Sequence, residues 1–371
     1  MMALRISAAR VPRSAGRRWI SSSQLTVEPR PTKERPVKEK LTFGTTFSDH
    51  MLTIAWKDGV WEAPHIGPYQ NLSISPAASA LHYGLQCFEG MKAYRAVDGS
   101  VRLFRPQLNM KRLKSSMERL NMPGSDFDEA ELLECLSELV RLDQSWIPEG
   151  EGYSLYIRPT VIATHKFLGL SAPTSLLLYV ITSPVGPYYP TGFQPIRLTA
   201  DTPYVRAWPG GTGNTKVGGN YAPTMKAMTP GYSQVLWLLN DELTEVGAMN
   251  LFVVWQNRDG ETELVTAPLS RGDILPGVTR DSVVQLAQKW MKVSERSITM
   301  TEVKEAASEG RLLEVFGTGT AAVVTPVSCI RYKGEDIEIP APGTVTERVW
   351  DEITGIQYGK VEGPEGWSVV L

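Results

Sequence analysis

The chain has 371 residues, of which 42% are hydrophobic and 21% charged, and its formal net charge at pH 7 is −2. This composition excludes fibrous, collagen-like and wholly disordered proteins, and the length allows two domains with separate cores. No run of 18 uncharged apolar residues occurs, and three scattered cysteines with four histidines predict neither a disulfide framework nor a metal centre. We expect a soluble enzyme of a reducing compartment, with no membrane partner.

The N-terminal segment has the composition of a targeting sequence. The first acidic residue is Glu28, and no acidic residue interrupts the arginines that precede it: Arg5, Arg10, Arg13, Arg17 and Arg18. Basic, acid-free and Ser-rich segments are typical of mitochondrial presequences, although a disordered basic tail is an alternative interpretation. We predict a presequence over residues 1–24, a location in the mitochondrial matrix, and a Pro- and charge-rich linker or arm over residues 25–40.

The basic residues of this segment do not predict nucleic-acid binding. The whole sequence has 40 Asp and Glu against 38 Lys and Arg, so that without these five arginines the chain is clearly acidic. An acidic protein has no general attraction for phosphate backbones.

From Leu41 the hydrophobic pattern is that of a folded α+β domain. Apolar residues at helical spacing predict two helices, the second after a Ser125-Asp126 cap, and two runs rich in Leu, Val, Tyr and Ile predict strands. The predicted helices cover residues 106–120 and 126–142, and the predicted strands cover residues 153–161 and 175–182. Four prolines and two glycines within residues 183–195 indicate a linker. We expect a small domain over residues 41–185 and a linker over residues 186–195.

The remaining residues, 196–371, are predicted to form a larger domain. Its predicted strands cover residues 196–200, 234–239, 250–255 and 264–267, and a helix is predicted over residues 281–291.

Three glycine-rich stretches of this domain could contact a phosphate, namely residues 209–220, 275–279 and 316–322. The last matches GxGxxA, but the β-branched, proline-containing sequence after it predicts a strand or turn where a dinucleotide site needs a helix. Lys216 lacks the flanking residues of a P-loop. Residues 275–279 keep two interpretations: a phosphate site at a helix N-terminus, or an ordinary N-cap near Thr279.

Four segments closely resemble the branched-chain amino acid aminotransferases, a class IV family that depends on pyridoxal 5'-phosphate (PLP). They are residues 88–94, 216–223, 243–250 and 316–322, and the similarity continues in order from about Leu41 to Leu371. The resemblance implies a two-domain α+β fold of the D-amino acid aminotransferase type, with PLP between the domains, and a homodimer.

The resemblance also implies a role for each matching residue. Lys216 would hold PLP as a Schiff base and move a proton, Tyr221 would bind the phenolic oxygen, and Glu245 would pair with the pyridine nitrogen. The implied phosphate ligands are Arg112, Val278, Thr279 and Thr320. For the substrate, Thr320 and Ala321 would bind the α-carboxylate, and Arg158 would bind the distal carboxylate of glutamate. The pocket for the substrate side chain would lie partly across the dimer interface and would contain Phe43, Tyr83, Phe88, Tyr156, Tyr188 and Ala248.

These residue types suit the chemistry. A carboxylate beside the pyridine nitrogen keeps that nitrogen protonated, so that the ring can accept electrons from the substrate. A pocket of aromatic and small residues favours Leu, Ile and Val, because burial of methyl and methylene groups stabilises by about 0.8 kcal/mol each.

The expected reaction is reversible transfer of the amino group of Leu, Ile or Val to 2-oxoglutarate, by a ping-pong mechanism through pyridoxamine phosphate. A D-amino acid aminotransferase or an aminodeoxychorismate lyase of the same fold is one alternative. The other is a PLP-binding but catalytically impaired relative, because Lys216 and Glu245 lie only 29 positions apart and residues 224–230 read as a truncated helix. Ala248 also stands where such proteins usually have threonine.

Overall fold

The computed structural model describes residues 19–189 and 192–371. Most of the expected presequence therefore lies outside the described residues. Within them, the chain forms two β-sheets, and helices pack against each sheet around buried hydrophobic clusters. No described helix has the length and apolar character needed to cross a bilayer.

The first sheet contains ten strands in the order β1-β4-β2-β9-β8-β6-β7-β19, with β3 on β2 and β5 on β8. Its strands, numbered in chain order, are β1 (Thr26–Val27), β2 (His50–Lys57), β3 (Val60–Trp61), β4 (His65–Pro68), β5 (Gln86–Phe88), β6 (Met91–Arg95), β7 (Val101–Phe104), β8 (Ser154–Ala163), β9 (Ser175–Val185) and β19 (Ser368–Val370). Because β19 pairs antiparallel with β7, the C-terminus returns to the first sheet.

Three helices accompany this sheet: α1 (Ser79–Tyr83), α2 (Pro106–Arg119) and α3 (Glu129–Leu142). The apolar faces of α2 and α3 are buried in one cluster with the central strands, as their helical spacing predicts. The expected start of α3 at Ser125-Asp126 is wrong. The carboxylate of Asp128 accepts from the N–H groups of Ala130 and Glu131, and this cap makes α3 begin at Glu129, three residues after the predicted start.

The second sheet contains nine strands in the order β12-β11-β10-β17-β16-β13-β14-β15, with β18 on β17. They are β10 (Ile196–Thr199), β11 (Gln234–Leu239), β12 (Glu242–Val246), β13 (Met249–Gln256), β14 (Thr262–Thr266), β15 (Lys292–Glu295), β16 (Leu312–Gly319), β17 (Val323–Tyr332) and β18 (Glu335–Glu338). A further pairing of β12 with β13 closes six of these strands into a ring.

Four helices belong to this half: α4 (Thr224–Ala227), α5 (Val278–Ala287), α6 (Met300–Ser308) and α7 (Thr344–Gln357). Helix α5 begins three residues before the predicted start and ends four before the predicted end, because Gly277 takes the N-cap position and the chain must turn into β15. The residues after the GxGxxA match form β17, which pairs antiparallel with β16, so the predicted strand or turn at this position is confirmed.

Candidate active site

A cavity of about 410 Å³ lies between the two sheets. Residues from both halves of the chain line it, because β5 and β8 face the loop around Lys216 and the turn between β16 and β17. Ten of the expected site residues line this cavity: Phe43, Phe88, Tyr156, Arg158, Tyr188, Lys216, Tyr221, Ala248, Thr320 and Ala321.

Lys216 is held by residues of both halves. Its backbone N–H donates to Ser116 Oγ on α2 at 3.1 Å, and its carbonyl accepts from the N–H of Phe88 at 3.0 Å. The side chain reaches into the cavity, where Nζ lies 3.1 Å from the Tyr221 hydroxyl and 4.9 Å from the centre of the Phe88 ring. The backbone is thus fixed while the amine stays accessible in the cavity.

The carboxylate of Glu245, on β12, does not line this cavity but lies near enough to Lys216 for their charges to interact, with 2% of the residue exposed. Oε1 accepts from the N–H of Leu275 at 2.7 Å and from Asn250 Nδ2 at 3.2 Å, and Oε2 lies 2.9 Å from Arg206 Nε. Burial raises the pKa of the Glu245 carboxyl above its ordinary value, and the Arg206 guanidinium opposes this rise. A second positive partner at Oε2 would favour the ionised carboxylate further.

Arg112, on α2, lies behind the cavity near Tyr156 and Tyr221, where it donates two hydrogen bonds of 2.7 and 2.8 Å to Glu89. Although burial alone would lower it, the pKa of Arg112 is raised because Glu89 is adjacent and fully buried. A third bond, from Nη1 to the carbonyl of Pro276 at 2.8 Å, joins Arg112 to the loop before α5. A guanidinium has five N–H donors, so two remain for an anion.

Val278 and Thr279 form the first turn of α5, next to this arginine. The first N–H groups of a helix have no acceptor within the helix, and they favour an anion there. The loop before them is packed closely, since a Cβ on Gly277 would lie 2.1 Å from Asn250 Oδ1. Hydrogen bonds therefore join the Glu245 carboxylate and Arg112 to the loop that leads into α5.

The turn between β16 and β17 closes the cavity on another side. The Thr320 hydroxyl donates to the carbonyl of Gly90 at 3.2 Å, which joins the turn to the first half of the chain. Thr318, which pairs with Asn250 in the sheet, has a hydroxyl that is buried without a hydrogen-bond partner among the described residues. This hydroxyl and the free donors of Arg112 indicate a site for a polar group.

Aromatic rings and one arginine form the outer wall. Phe43 lies edge-on to Tyr156 at 4.8 Å and to Tyr188 at 5.3 Å between ring centres. Arg158 donates to the Tyr156 hydroxyl at 3.0 Å and lies over the Phe88 ring at 4.8 Å, and no carboxylate of the described residues forms an ion pair with it. The wall therefore offers apolar surface together with an uncompensated positive charge.

Tyr83 lies outside this cavity, at the end of α1. Its ring is 40% exposed, and its hydroxyl donates to the carbonyl of Leu168. The structure of the single chain therefore does not bring Tyr83 to the expected substrate pocket.

The shortened segment after Lys216 forms a single turn, α4, and Pro223 precedes its first residue. The segment is as short as the sequence indicates, but it does not separate the site residues: Lys216 and Tyr221 remain in contact, and Glu245 keeps its place on β12. The alternative of a catalytically impaired relative has no support in this geometry.

Three functional candidates were missed by the sequence analysis: Glu89, Arg206 and Asn250. Glu89 is part of the recognised segment 88–94, and an acidic residue between apolar neighbours was a usable signal. Arg206 and Asn250 gave no such signal, because their burial against Glu245 depends on the fold.

Comparisons with known proteins agree with this arrangement. The amino-transferase class IV family matches residues 86–330. The chain is 51% identical to a branched-chain-amino-acid aminotransferase of Dictyostelium discoideum, over 96% of this chain and 97% of that protein. It is 49% identical to a mitochondrial one of Schizosaccharomyces pombe (91% and 82%) and 50% identical to a cytosolic one of Ovis aries (91% and 90%).

Solved structures show the same fold. The branched-chain amino acid aminotransferase of Escherichia coli is 27% identical, with a TM-score of 0.69 over 85% of this chain and 98% of that chain. A branched-chain amino acid aminotransferase of Thermobaculum terrenum, solved in its PLP form, is 23% identical, with a TM-score of 0.69 over 87% and 98%. The expected class IV fold, with its mixed α and β elements, is confirmed.

Proposed function

The chain belongs to the branched-chain-amino-acid aminotransferases of class IV, and from this premise we propose how its own residues divide the reaction among them. It is a PLP-dependent transaminase. The observation that carries the assignment of residues is the position of Lys216 Nζ, which lies in the cavity at the Tyr221 hydroxyl, with the buried Glu245 and Arg112 nearby.

The donor set fits the cofactor. Arg112 and the first turn of α5 would bind the phosphate, with Thr320 nearby, and Tyr221 would donate to the phenolic oxygen. Glu245 would bind the protonated ring nitrogen, because a buried carboxylate with a raised pKa is stabilised by a second positive partner. The bound cofactor supplies an electron sink for the bonds at the substrate Cα.

Lys216 Nζ is the base and acid of the reaction. It would take a proton from the substrate Cα and return it to the cofactor, since hydrogen bonds hold the Lys216 backbone and its amine lies in the cavity. The rings of Phe88 and Tyr221, with centres 4.9 and 5.1 Å from Nζ, would reduce the contact of this amine with bulk water.

The substrates are Leu, Ile or Val and, in the second half-reaction, 2-oxoglutarate. The N–H groups of the turn at Thr320 and Ala321 would bind the α-carboxylate, and Phe43, Tyr156 and Tyr188, with Ala248, would contact the branched side chain. Arg158 would bind the distal carboxylate of 2-oxoglutarate, because no acid among the described residues neutralises it.

Spectroscopy of the full-length holoenzyme tests this assignment. Leucine alone should abolish the visible absorption of the bound cofactor, and 2-oxoglutarate should restore it. Lys216→Ala should lose both responses and reduce turnover by more than about 10³-fold, because it removes the proton-transferring group. Lys226→Ala, a lysine exposed on α4, is the matched control and should behave as the wild type. Turnover in Lys216→Ala close to that of the control would refute the role of Lys216.

We also propose that the enzyme is a homodimer in which Tyr83 contacts the cavity of the second copy. Tyr83 is exposed together with four apolar side chains of α1 and the loop after β8: Leu81 (62%), Phe167 (45%), Leu168 (64%) and Leu170 (76%). Monomeric proteins rarely expose so many neighbouring apolar side chains, so we expect a protein partner to cover them.

The arginine-rich N-terminus supports a location in the mitochondrial matrix, and relatives of both mitochondrial and cytosolic type occur. Ile20 is 1% exposed in the first core, and Ser22 Oγ donates to Glu131 at 2.8 Å. We therefore place the end of the removed segment before Trp19. Import of the full chain into isolated mitochondria, but not of a chain that begins at Trp19, tests this proposal.

A further inference from the structure

Lys92 is a buried cation without an acidic partner. It lies in β6, opposite Tyr156 of β8, and only 6% of it is exposed. No carboxylate of the described residues forms an ion pair with it. A buried lysine normally has such a partner, so its position requires another explanation.

The partner of Lys92 is the turn between β16 and β17. Its Nζ donates to the carbonyl of Ala321 at 2.7 Å, and two residues earlier the carbonyl of Gly90 accepts from the Thr320 hydroxyl at 3.2 Å. The segment from Gly90 to Lys92 therefore holds two successive residues of a turn that belongs to the other sheet.

We propose that Lys92 is a positioning residue for the substrate α-carboxylate: it fixes the Ala321 carbonyl, which orients the N–H groups of the turn, and its ammonium places a positive charge behind them. This inference rests on the proposed role of Thr320 and Ala321 as the carboxylate site. An ammonium in a poorly solvated position attracts a carboxylate more strongly than one in water, because screening is weaker there.

The surroundings leave Lys92 as the group that titrates near neutral pH. Burial lowers the pKa of Lys92 to about 7. The titratable groups that line the cavity beside it are Tyr94 of β6, Tyr188 and Tyr189 after β9, Tyr358 after α7, and Glu151. Glu151 is paired with Lys360, and burial raises the pKa of both Tyr189 and Tyr358 to about 12, so these tyrosines stay neutral.

The charge of Lys92 makes carboxylate binding depend on pH. In the free holoenzyme Lys92 loses its proton as the pH rises through about 7, and a bound carboxylate favours the protonated form. Binding of a carboxylate above pH 7 should therefore take up a proton, and the affinity should fall as the pH rises.

Calorimetry of the holoenzyme with 4-methylvalerate, a carboxylate without an amino group, tests the proposal in buffers of different ionisation enthalpy. The wild type should lose about tenfold in affinity between pH 6.5 and 8.5 and take up a fraction of a proton. Lys92→Met should bind weakly at both pH values. Lys92→Arg should bind tightly at both without this proton uptake, because arginine stays charged. A cavity of about 180 Å³ beside Lys92 can accommodate the larger guanidinium.

The kinetic readout is the KM for leucine, which should follow the affinity while kcat changes much less. Binding by Lys92→Met equal to the wild type, or the same proton uptake in Lys92→Arg as in the wild type, would overturn the inference. If Lys92→Met does not fold, the comparison of the wild type with Lys92→Arg still tests the inference, because arginine stays charged and cannot take up a proton when the carboxylate binds.

Ala321→Pro separates this inference from the proposed site. It removes one N–H of the turn and keeps the carbonyl that Lys92 binds. If 4-methylvalerate binds unchanged to Ala321→Pro, the carboxylate site itself is wrong, and the inference fails with it. If Ala321→Pro weakens binding and Lys92→Met does not, only the role of Lys92 is wrong.

Discussion

At the scale of single residues, the site depends on buried charges that are held in pairs. Glu245 with Arg206, and Arg112 with Glu89, lie almost entirely out of contact with water. Removal of one partner leaves an uncompensated buried charge, which costs more than the pair contributes. These pairs hold Glu245 and Arg112, the two side chains that we propose to bind the ring nitrogen and the phosphate, before any ligand binds.

Arg206→Met should therefore lower the free energy of unfolding by about 3–5 kcal/mol and weaken cofactor binding. Without the guanidinium, the pKa of Glu245 rises further above its ordinary value, and the carboxylate that should bind the ring nitrogen becomes a neutral acid. A buried carboxyl with a raised pKa costs stability above its unfolded pKa, so the deficit should be smaller at pH 5 than at pH 7. Urea unfolding at the two pH values measures both effects.

The matched control is Arg258→Met. Arg258 pairs with Glu305, but the two side chains are 77% and 49% exposed, so the loss should be below about 1 kcal/mol. If Arg206→Met and Arg258→Met lowered the free energy of unfolding by the same amount, burial would not determine how much such an ion pair contributes to stability.

At the scale of elements, the loop between β14 and α5 determines the position of the residues that we propose to bind the phosphate. Leu275 binds Glu245 and Pro276 binds Arg112, so the loop joins the two buried pairs within two residues. The loop can pass this close to Asn250 only with glycine at position 277, because Asn250 Oδ1 occupies the space where a Cβ would be.

Gly277→Ala should raise the dissociation constant of the cofactor by about tenfold or more, since the loop must move away from Asn250 and carry the first turn of α5 with it. Fluorescence titration of the apoprotein with PLP measures this constant. Gln285→Ala, an exposed position of the same helix, is the control and should leave it unchanged. A normal constant in Gly277→Ala would show that the start of α5 does not bind the phosphate.

At the scale of the whole molecule, we expect a second copy of the chain to bury the exposed apolar side chains of α1 and of the loop after β8. A double variant Leu168→Asp/Leu170→Asp should convert the proposed dimer to a monomer in analytical ultracentrifugation and should reduce turnover, because Tyr83 would no longer contact the second cavity. Val97→Asp, a 68% exposed apolar residue on the turn between β6 and β7, should change neither. A monomeric wild type would refute the dimer.

The amino-acid sequence predicted the fold family, the helices α2, α3 and α5, the strands β8, β9, β10, β11, β13 and β14, and the local order of the site segments. Local signals carried these predictions: helical spacing predicted α2, short strand-like apolar runs predicted β10 and β11, and the segments around Lys216 and Glu245 carried the resemblance. The proline and β-branched residues after the GxGxxA match correctly predicted β17 instead of a helix.

The tertiary structure alone decided how these segments combine. The cap at Asp128, the return of β19 to the first sheet, the pairing of Glu245 with Arg206 and the contact of Lys92 with Ala321 all depend on which residues burial brings together. Sequence spacing cannot predict such contacts, because residues 39 or 229 positions apart become neighbours only through the packing of the two sheets. The energy of a buried charge is set by those neighbours, and so the chemistry of the site was decided at that scale.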